Sequence, residues 1–370
     1  MDNKHYVEIV DKFVSSRMNY DGQYADSELR SLIDDVATEV FGRIPAEGVD
    51  RELIVSEVYN KKKRLGMIQP LLDDPSVNEI MINGTDGIYI ERGGELVLYP
   101  KRYSDKEALF NNIQTMLSWA NRTVNESNPI VDARLANGSR VNVVLPPVAI
   151  NGPIVTVRKF RDDNFTMEDL IANGTLMRLQ ADYLINCVHA RKNIIISGAT
   201  SSGKTTFLNV LAGFIPENRR IITVEDTAEL RLCQPDIVRL ETRNANTEGK
   251  GEIRMRQLIK AALRMRPDHL IVGEVRDESS LDMLTALCTG HEGSMSTAHA
   301  NSAADVLLRL ETMALWEGHV SSAAIRQMIV SGIHVIVQLA RDERARRFVR
   351  EIAEVRGYEE GKIIIGQVNI

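Results

Sequence analysis

One short motif limits what this chain can fold into more than any other feature. Residues 198–206 read GATSSGKTT and match the pattern G-x-x-x-x-G-K-[ST] at every fixed position. The motif follows a β-branched run at 193–196 and is followed by apolar residues at helical spacing, namely Phe207, Leu208, Leu211 and Phe214. A glycine-rich turn before a core helix is the alternative, but it leaves the lysine–threonine pair unexplained. The order strand, glycine loop, helix therefore predicts a phosphate-binding loop.

The residue types in this loop fit a nucleoside triphosphate. Backbone N–H groups and a helix N-terminus together make an anion cradle. Lys204 would reach the β- and γ-phosphates, and the Thr205 hydroxyl would bind Mg²⁺. Gly198 and Gly203 would allow backbone angles and close approaches that a Cβ forbids. The predicted nucleotide-binding set is completed by Ala199, Thr200, Ser201, Ser202 and Thr206.

Composition excludes several classes of protein. The chain has 370 residues, 44% hydrophobic and 26% charged, as expected of a globular protein with two or three domains. No apolar stretch approaches the ~20 residues that cross a bilayer, and the amino terminus is charged, which predicts a cytoplasmic protein. Three lone cysteines without C-x-x-C spacing predict inert thiols, with no disulfide framework and no zinc site. A net charge of −6 argues against nucleic acid and favours protein partners.

Three regions separate along the chain. In residues 1–68 helical spacing of apolar residues, with Asp50 as a cap for a second helix, predicts a small helical bundle. In residues 69–163 an α+β domain is predicted from strands at 79–82, 87–91, 95–99, 140–145 and 154–159 and a helix at 106–120. A polar break at 162–164 marks the boundary, and Thr166 with residues 168–169 opens a helix in the manner of a capping box.

The region 164–370 alternates strands with helices, which is typical of a mostly parallel sheet with helices on both faces. Its end, from residue 346 on, is rich in strands and turns at residues 359–361. The predicted fold class is therefore α/β.

Two strands in this region end in acidic residues. The strand 269–272 runs into Glu274, an arrangement that can hold the shell of Mg²⁺ or orient a water for attack on the γ-phosphate. The strand 220–224 runs into Glu225 and Asp226, of which one could act as a base while the other supports the ion through waters. A surface glutamate and an acidic helix start are the respective alternatives. The predicted magnesium site consists of Thr205, Glu225, Asp226 and Glu274.

Two of the seven histidines lie within nine positions, in a segment rich in glycine and hydroxyl groups. His291 precedes and His299 follows a short predicted strand. A lone histidine is usually a satisfied structural residue. The pair beside a strand end favours a role in the site.

Four segments together resemble a known superfamily. GATSSGKTT, ITVEDTAEL, DHLIVGEVR and TGHEGSMSTAHANS are similar to the Walker A, Asp, Walker B and His boxes of the secretion ATPases, the hexameric motors of type II and type IV secretion, type IV pili and archaeal flagella. The resemblance covers about residues 69–338. DARLANGSRVNVVLPP and GPIVTVRKF resemble the amino-terminal domain of the tight-adherence pilus group, CpaF or TadA. The chain lacks the tetracysteine motif of many relatives, which supports that subgroup.

The resemblance implies a RecA-like P-loop ATPase domain, preceded by a PAS-like α+β domain and the helical bundle. It implies that ATP is the nucleotide and Mg²⁺ its ion, with Glu225 as the base or water-orienting acid and Glu274 as the Walker B carboxylate. His299, supported by His291, would sense the γ-phosphate. Two arginines of the amino-terminal domain, Arg140 and Arg158, match arginines that relatives direct at the nucleotide. Arg134 and Arg161 are further candidates, for which a solvated surface role is an equal alternative.

The implied function is a homohexameric motor that uses closure of one domain on the other to drive pilus assembly, retraction or both. It would act on inner-membrane platform proteins and associate indirectly with the cytoplasmic face of that membrane. A RecA-like nucleic-acid motor would share the Walker boxes, but would need basic loops that carry aromatic residues. A nucleotide-gated scaffold with little turnover would keep Lys204 and Thr205, but would need neither Glu225 nor Glu274.

Overall fold

The computed structural model describes residues 3–18, 26–44, 49–63, 65–120, 122–135, 137–160, 165–243, 245, 250–342 and 346–370. The chain divides into two compact units, Met1–Asp162 and Asp163–Ile370. The predicted polar break at 162–164 and the candidate Arg161 lie outside the described residues. In the part of the chain that the structure describes, no helix has both the length and the apolar character needed to cross a bilayer.

The first unit begins with three helices that share one core. They are α1 (Asn3–Arg17), α2 (Asp26–Arg43) and α3 (Arg51–Lys63). Tyr6, Leu29 and Ile54 are among the residues that fill the core between them. Asp50 caps α3 as predicted, since its Oδ1 accepts a hydrogen bond from the Leu53 N–H at 3.1 Å. Helix α1 lies within the predicted bundle but was not singled out as a helix, although Tyr6, Val10 and Val14 recur at helical spacing.

The rest of the first unit is an antiparallel sheet covered by one long helix. After a 3₁₀ turn at Gly66–Ile68, its elements are α4 (Gln69–Asp73), β1 (Val77–Asn83), β2 (Gly87–Arg92), β3 (Glu95–Tyr99), α5 (Lys106–Trp119), β4 (Ile130–Arg134), β5 (Arg140–Val144) and β6 (Ile154–Arg158). The strand order is β3-β2-β1-β6-β5-β4. The five predicted strands and the predicted helix are confirmed. Strand β4 was missed because it buries little and shows no clear alternation of apolar residues.

The second unit is built on an eight-stranded mixed sheet. Its elements are α6 (Met167–Ala172), α7 (Arg178–His189), β7 (Ile194–Gly198), α8 (Lys204–Ala212), β8 (Ile221–Glu225), β9 (Ile237–Glu241), α9 (Met255–Ala262), β10 (His269–Val275), α10 (Ser279–Cys288), β11 (Met295–Ala298), α11 (Ala303–Leu315), α12 (Ser322–Gly332), β12 (Val335–Arg341), β13 (Arg347–Glu359) and β14 (Lys362–Gln367). The strand order is β14-β13-β12-β7-β11-β10-β8-β9. The six strands from β12 to β9 are parallel, and β13 and β14 extend the sheet antiparallel.

Helices cover both faces of this sheet, as the sequence predicts. On β7, Ile195 points into a core shared with α9, α10, α11 and α12, whereas Ile194 and Ile196 point into a core shared with α6, α7 and α8. The capping box at α6 is also confirmed, since Thr166 and Asp169 exchange side-chain to backbone hydrogen bonds of 2.8 and 3.2 Å. Strands buried on both faces explain why β7 and β8 read as continuous apolar runs.

Sheet order brings the predicted motifs to one edge. The strands β7, β11, β10 and β8 are consecutive neighbours and run parallel. Their carboxyl ends therefore meet at the same edge of the sheet, where ligands of open α/β sheets bind. The phosphate-loop motif, His299, Glu274 and Glu225 follow or end these strands.

Candidate functional site

The phosphate-loop motif forms the connection between β7 and α8. Gly198 ends the strand, and Lys204 begins the helix directly after Gly203. At the start of α8, the Phe207 N–H donates a hydrogen bond to the Gly203 carbonyl at 2.9 Å. The N–H groups of the residues before Phe207 therefore point out of the first turn of the helix. This is the geometry that binds a phosphate group.

Two glycines of the loop have no room for a side chain. A Cβ on Gly198 would lie 2.5 Å from Oγ of Ser202 and 2.8 Å from the carbonyl oxygen of Leu339. Gly203 has φ of +90°, in the left-handed region that favours glycine. Its Cβ would lie 3.1 Å from Cδ of Arg347. The tight loop is thus a cradle that a Cβ would fill.

The Lys204 ammonium is held at the carboxyl edge of the sheet. Its Nζ donates to the carbonyls of Gly198 and Ala199 at 3.1 and 3.0 Å. It also lies 3.3 Å from Nδ1 of His299. The lysine is buried, with 7% of its surface exposed, so its charge is fixed in place by these acceptors.

His299 connects the lysine to the acid of β10. Its Nε2 lies 2.9 Å from Oε1 of Glu274. Because Nδ1 faces an ammonium, Nδ1 is the acceptor and Nε2 carries the proton that is donated to Glu274. Burial and the nearby charge of Lys204 lower the pKa of His299, while Glu274 opposes them. The imidazole therefore bridges the two residues in its neutral form.

Glu225, at the end of β8, is almost fully buried, with 2% of its surface exposed. Its Oε2 accepts hydrogen bonds from the N–H groups of Glu229 and Leu230 at 2.8 and 2.9 Å. Its Oε1 has no hydrogen-bond partner among the described residues. Burial raises the pKa of Glu225, although the two N–H groups oppose that rise. Gly273 leaves room for this side chain, since a Cβ there would lie 3.1 Å from Cγ of Glu225.

Asp226 is paired with a cation that the sequence did not single out. Its carboxylate forms an ion pair with Arg276, the second residue after Glu274. Thr242 donates to Oδ1 of Asp226 at 3.3 Å. Its position two residues after Glu274 is the one sequence signal that could have identified Arg276.

Among the described residues, no group of three or more His, Cys, Asp or Glu side chains is placed so that it could hold a metal ion by itself. Magnesium bound with a nucleotide takes only one or two protein ligands, together with phosphate oxygens and water. The Thr205 hydroxyl in the first turn of α8 and the carboxylate oxygen of Glu225 without a partner fit such an ion. The donor set thus suits a magnesium ion that arrives with phosphate.

His291 is not brought to this edge. It lies in the loop before β11, at the amino ends of the parallel strands, and its Nδ1 is 3.3 Å from the carbonyl oxygen of Ala286. The strand β11 therefore separates His291 from His299.

Three arginines of the first unit form a row across its sheet. In register, Arg134 on β4 stands opposite Arg140 on β5, and Arg140 stands opposite Arg158 on β6. Glu79 on β1 follows in the same row, opposite Arg158. Residues in register point to the same face, and like charges directly opposite one another are unfavourable. The row thus holds three cations and one anion, with Glu79 next to Arg158.

Two more residues of the second unit that the sequence did not indicate bear on the site. Gln338 on β12 is buried and donates to the carbonyl of Ala300 at 3.2 Å, which supports the loop of His299. Arg347 at the start of β13 donates from Nε to the carbonyl of Ser201 at 3.1 Å. A basic run after β12 is the only sequence signal for Arg347, and it does not indicate this contact.

Comparisons with known proteins find both relatives in sequence and solved structures of similar fold. The family model described as type II/IV secretion system protein matches residues 61–361. The chain is 35% identical over 300 residues to a Mycobacterium tuberculosis protein provisionally named a conjugal transfer protein, which covers 80% of this chain and 85% of that protein. It is 30% identical over 325 residues to the type IV secretion system protein VirB11 of Bartonella quintana, with 76% of this chain and 89% of that protein covered.

Among solved structures, that of the Legionella pneumophila ATPase DotB covers 76% of this chain and 77% of its own, at 22% identity and a TM-score of 0.56. At 22% identity, this structural similarity shows that the two chains share a fold. The predicted α/β fold class is confirmed.

Proposed function

The chain belongs to the type II/IV secretion system protein family and is an ATP-hydrolysing enzyme, and on that premise we propose that it is a motor of a pilus or secretion machine of the tight-adherence type. One observation carries the proposal: Lys204, His299 and Glu274 form a continuous polar chain across three neighbouring strand ends. A nucleotide-gated scaffold would have no need to join its phosphate-binding lysine to a second carboxylate. Hydrolysis needs that arrangement, because the groups at the γ-phosphate must be held in fixed positions relative to the attacking water.

Mg·ATP is the proposed substrate. The residues 198–206 would bind the phosphates through backbone N–H groups. Thr205 would bind the ion directly, and Glu225, Asp226 and Glu274 would lie around it and act on it through waters. The ion would neutralise phosphate charge. Phosphate oxygens are charged acceptors, so they would displace the carbonyls of Gly198 and Ala199 from the Lys204 ammonium.

His299 and the two glutamates have separate proposed roles. His299 would respond to the γ-phosphate, because any movement of Lys204 toward phosphate alters the contact with its Nδ1. Glu274 would orient water or the shell of the ion. Glu225, with its raised pKa and one carboxylate oxygen without a partner in the described chain, is suited to accept a proton from water. His291 has no proposed contact with the nucleotide.

The arginine row of the first unit supports the proposed coupling. Arg140 and Arg158 would meet the phosphates when the two units close on one another, since guanidinium groups form strong charged hydrogen bonds with phosphate oxygens. The γ-phosphate would then bias the closed form, and hydrolysis would release the bias.

Six such chains in a ring would convert successive closures into work on inner-membrane platform proteins, from the cytoplasmic face of the membrane. Neither zinc nor nucleic acid enters the proposal. Assembly, retraction or both are compatible with it.

The test is Mg²⁺-dependent ATP turnover of the purified chain, together with its mass in solution. Glu274→Gln should abolish turnover while ATP still binds, and Arg158→Ala should reduce turnover strongly. Glu292→Gln and Arg102→Ala are the matched controls, since both residues are exposed and lie outside the site. A monomer that binds ATP without turnover, or a Glu274→Gln variant with the wild-type rate, would contradict the motor and favour a nucleotide-gated scaffold.

A further inference from the structure

A cavity of about 250 Å³ lies beside the phosphate loop, within the second unit. Ser202, Gly203 and Thr206 form one wall. Leu339 of β12 and Arg347 of β13 form the opposite wall. The two strands form an antiparallel hairpin, and β12 pairs with β7 directly at the loop, with Leu339 in register with Gly198. The hairpin therefore reaches the loop from the side of the sheet that none of the four motifs occupies.

The direction of the phosphate chain follows from the position of Lys204. A phosphate-loop lysine binds the β- and γ-phosphates, and the Lys204 ammonium points to His299 and Glu274. None of these three residues lines the cavity. The cavity instead meets the loop at Gly203 and Thr206, in the first turn of α8. The cavity thus lies at the opposite end of the phosphate chain, where the nucleoside of a bound nucleotide must be.

The walls of the cavity suit a nucleoside. Phe165, Phe207 and Leu339 contribute apolar surface on which a planar base can pack. Ligand cavities combine such surface with a few polar groups that fix orientation. Arg347 supplies a polar group at the boundary with the loop, since its Nε donates to the Ser201 carbonyl at 3.1 Å.

Arg347 also lies against the residue where the phosphate chain would turn into the cavity. Its Cδ is 3.1 Å from the position that a Cβ on Gly203 would take. A phosphate oxygen carries charge and competes better for a guanidinium than the neutral carbonyl of Ser201. Ser201 has φ of +61°, an unfavourable conformation for a residue with a side chain, and the contact with Arg347 helps to hold it.

We infer that this cavity binds the nucleoside half of the nucleotide and that Arg347 binds its α-phosphate, so that the carboxyl-terminal hairpin β12–β13 is part of the nucleotide site. The inference rests on the proposed function, since it assigns a further part of the same site. It also gives the hairpin a way to respond to the nucleotide, because the side chain that contacts the phosphate sits at the start of β13.

The experiment measures binding of ADP and of inorganic tripolyphosphate to the full chain by calorimetry. Arg347→Ala should weaken ADP binding about tenfold or more, the loss of one charged hydrogen bond, and Arg347→Lys should recover part of it. Phe165→Ala should weaken ADP about tenfold through the lost packing on the base, but should leave tripolyphosphate affinity unchanged. Arg350→Ala is the control, because Arg350 is an exposed arginine of the same strand that does not line the cavity.

Arg347 is exposed, so its variants are expected to fold, and thermal melts will check this. Equal ADP affinities of Arg347→Ala and Arg350→Ala would overturn the inference. If Phe165→Ala weakened the binding of ADP and of tripolyphosphate equally, the inference would also be overturned. The substitution would then have disturbed the phosphate loop and not a nucleoside pocket. These results leave the proposed function standing as long as the wild-type chain binds and hydrolyses ATP. A wild-type chain that binds neither ADP nor ATP would overturn both.

Discussion

Nε2 of His299 lies 2.9 Å from Oε1 of Glu274, and the other nitrogen of the same ring lies 3.3 Å from the ammonium of Lys204. One imidazole thus joins the lysine of the phosphate-loop motif to the carboxylate near the end of β10. Protonation of both ring nitrogens would bring a second cation against Lys204. The lowered pKa of His299, caused by its burial and by that lysine, keeps the ring neutral.

The first prediction concerns this bridge. His299→Ala should reduce ATP turnover by about 10²-fold, because Glu274 loses the donor that orients it and Lys204 loses an acceptor. Binding of ADP should change much less, since the loop N–H groups and Lys204 remain. Steady-state turnover and ADP calorimetry measure the two effects separately.

His319→Ala is the control, since His319 is exposed and lies outside the site. Equal losses of ADP affinity and turnover in His299→Ala would show that His299 only shapes the loop. Partial recovery of turnover by His299→Gln, which can still donate to Glu274, would support the bridge.

A second prediction separates two roles for Glu225. Glu225→Gln keeps an oxygen for the N–H groups of Glu229 and Leu230 but removes a base. We expect turnover to fall by about 10²-fold or more. If Glu225 only positions that loop, turnover should survive the change.

Stability gives an independent readout of Glu225→Gln. Burial raises the pKa of Glu225 in the folded chain, so its contribution to stability is present at low pH and is lost as pH rises through that pKa. The glutamine cannot ionise. The melting temperature of the variant, relative to wild type, should therefore increase as pH rises above the ordinary glutamate pKa of about 4.3. No such increase is expected for Glu292→Gln, whose residue is exposed.

The sequence predicted the strand ends at this edge because each is marked by local chemistry. An apolar run buried on both faces and followed by glycines or acids identifies β7, β8 and β10 without knowledge of their neighbours. Sheet order then brings these ends together. The contacts of Lys204 with His299, and of Asp226 with Arg276, join residues 95 and 50 positions apart. Contacts between residues so far apart in sequence depend on tertiary packing, and the periodicity of a sequence does not predict them.

Other features were missed or misread. The apolar residues Tyr6, Val10 and Val14 of α1 recur at helical spacing but were not singled out, and packing on α2 and α3 makes them part of a core. The contact between Arg347 and Ser201 spans 146 positions. His291 and His299 appeared as one cluster, because a four-residue strand between them looks short in sequence. At about 3.3 Å per residue, the same strand spans the sheet from one edge to the other.

A third prediction uses the packing of the loop. Gly198→Ala should abolish measurable ATP binding, because the new Cβ would lie 2.5 Å from Oγ of Ser202 and 2.8 Å from a backbone oxygen of Leu339. The backbone cannot yield without moving β12 from β7. Gly42→Ala is the matched control, since no atom lies within 4 Å of that Cβ. A helical alanine there should leave ATP binding unchanged and leave the melting temperature equal or higher. ATP binding by Gly198→Ala at wild-type affinity would show that the loop is not packed as described.

The last prediction concerns acid stability and His269, which is 1% exposed at the start of β10. Its Nδ1 donates to the Gly293 carbonyl at 2.8 Å, and its Nε2 has no partner among the described residues. Burial lowers the pKa of His269, while the bond to Gly293 opposes that shift.

Between the folded pKa and the ordinary value near 6.5, the unfolded chain binds more protons, so stability rises with pH. The contribution is complete above about pH 6.5 and is lost as pH falls. His269→Asn keeps a donor for Gly293 and should flatten the dependence of melting temperature on pH below about pH 6.5. His334 and His299, whose pKa values burial also lowers, will leave a residual slope. The exposed His319→Asn should keep the wild-type slope, and an unchanged slope in His269→Asn would mean that His269 does not control the loss of stability in acid.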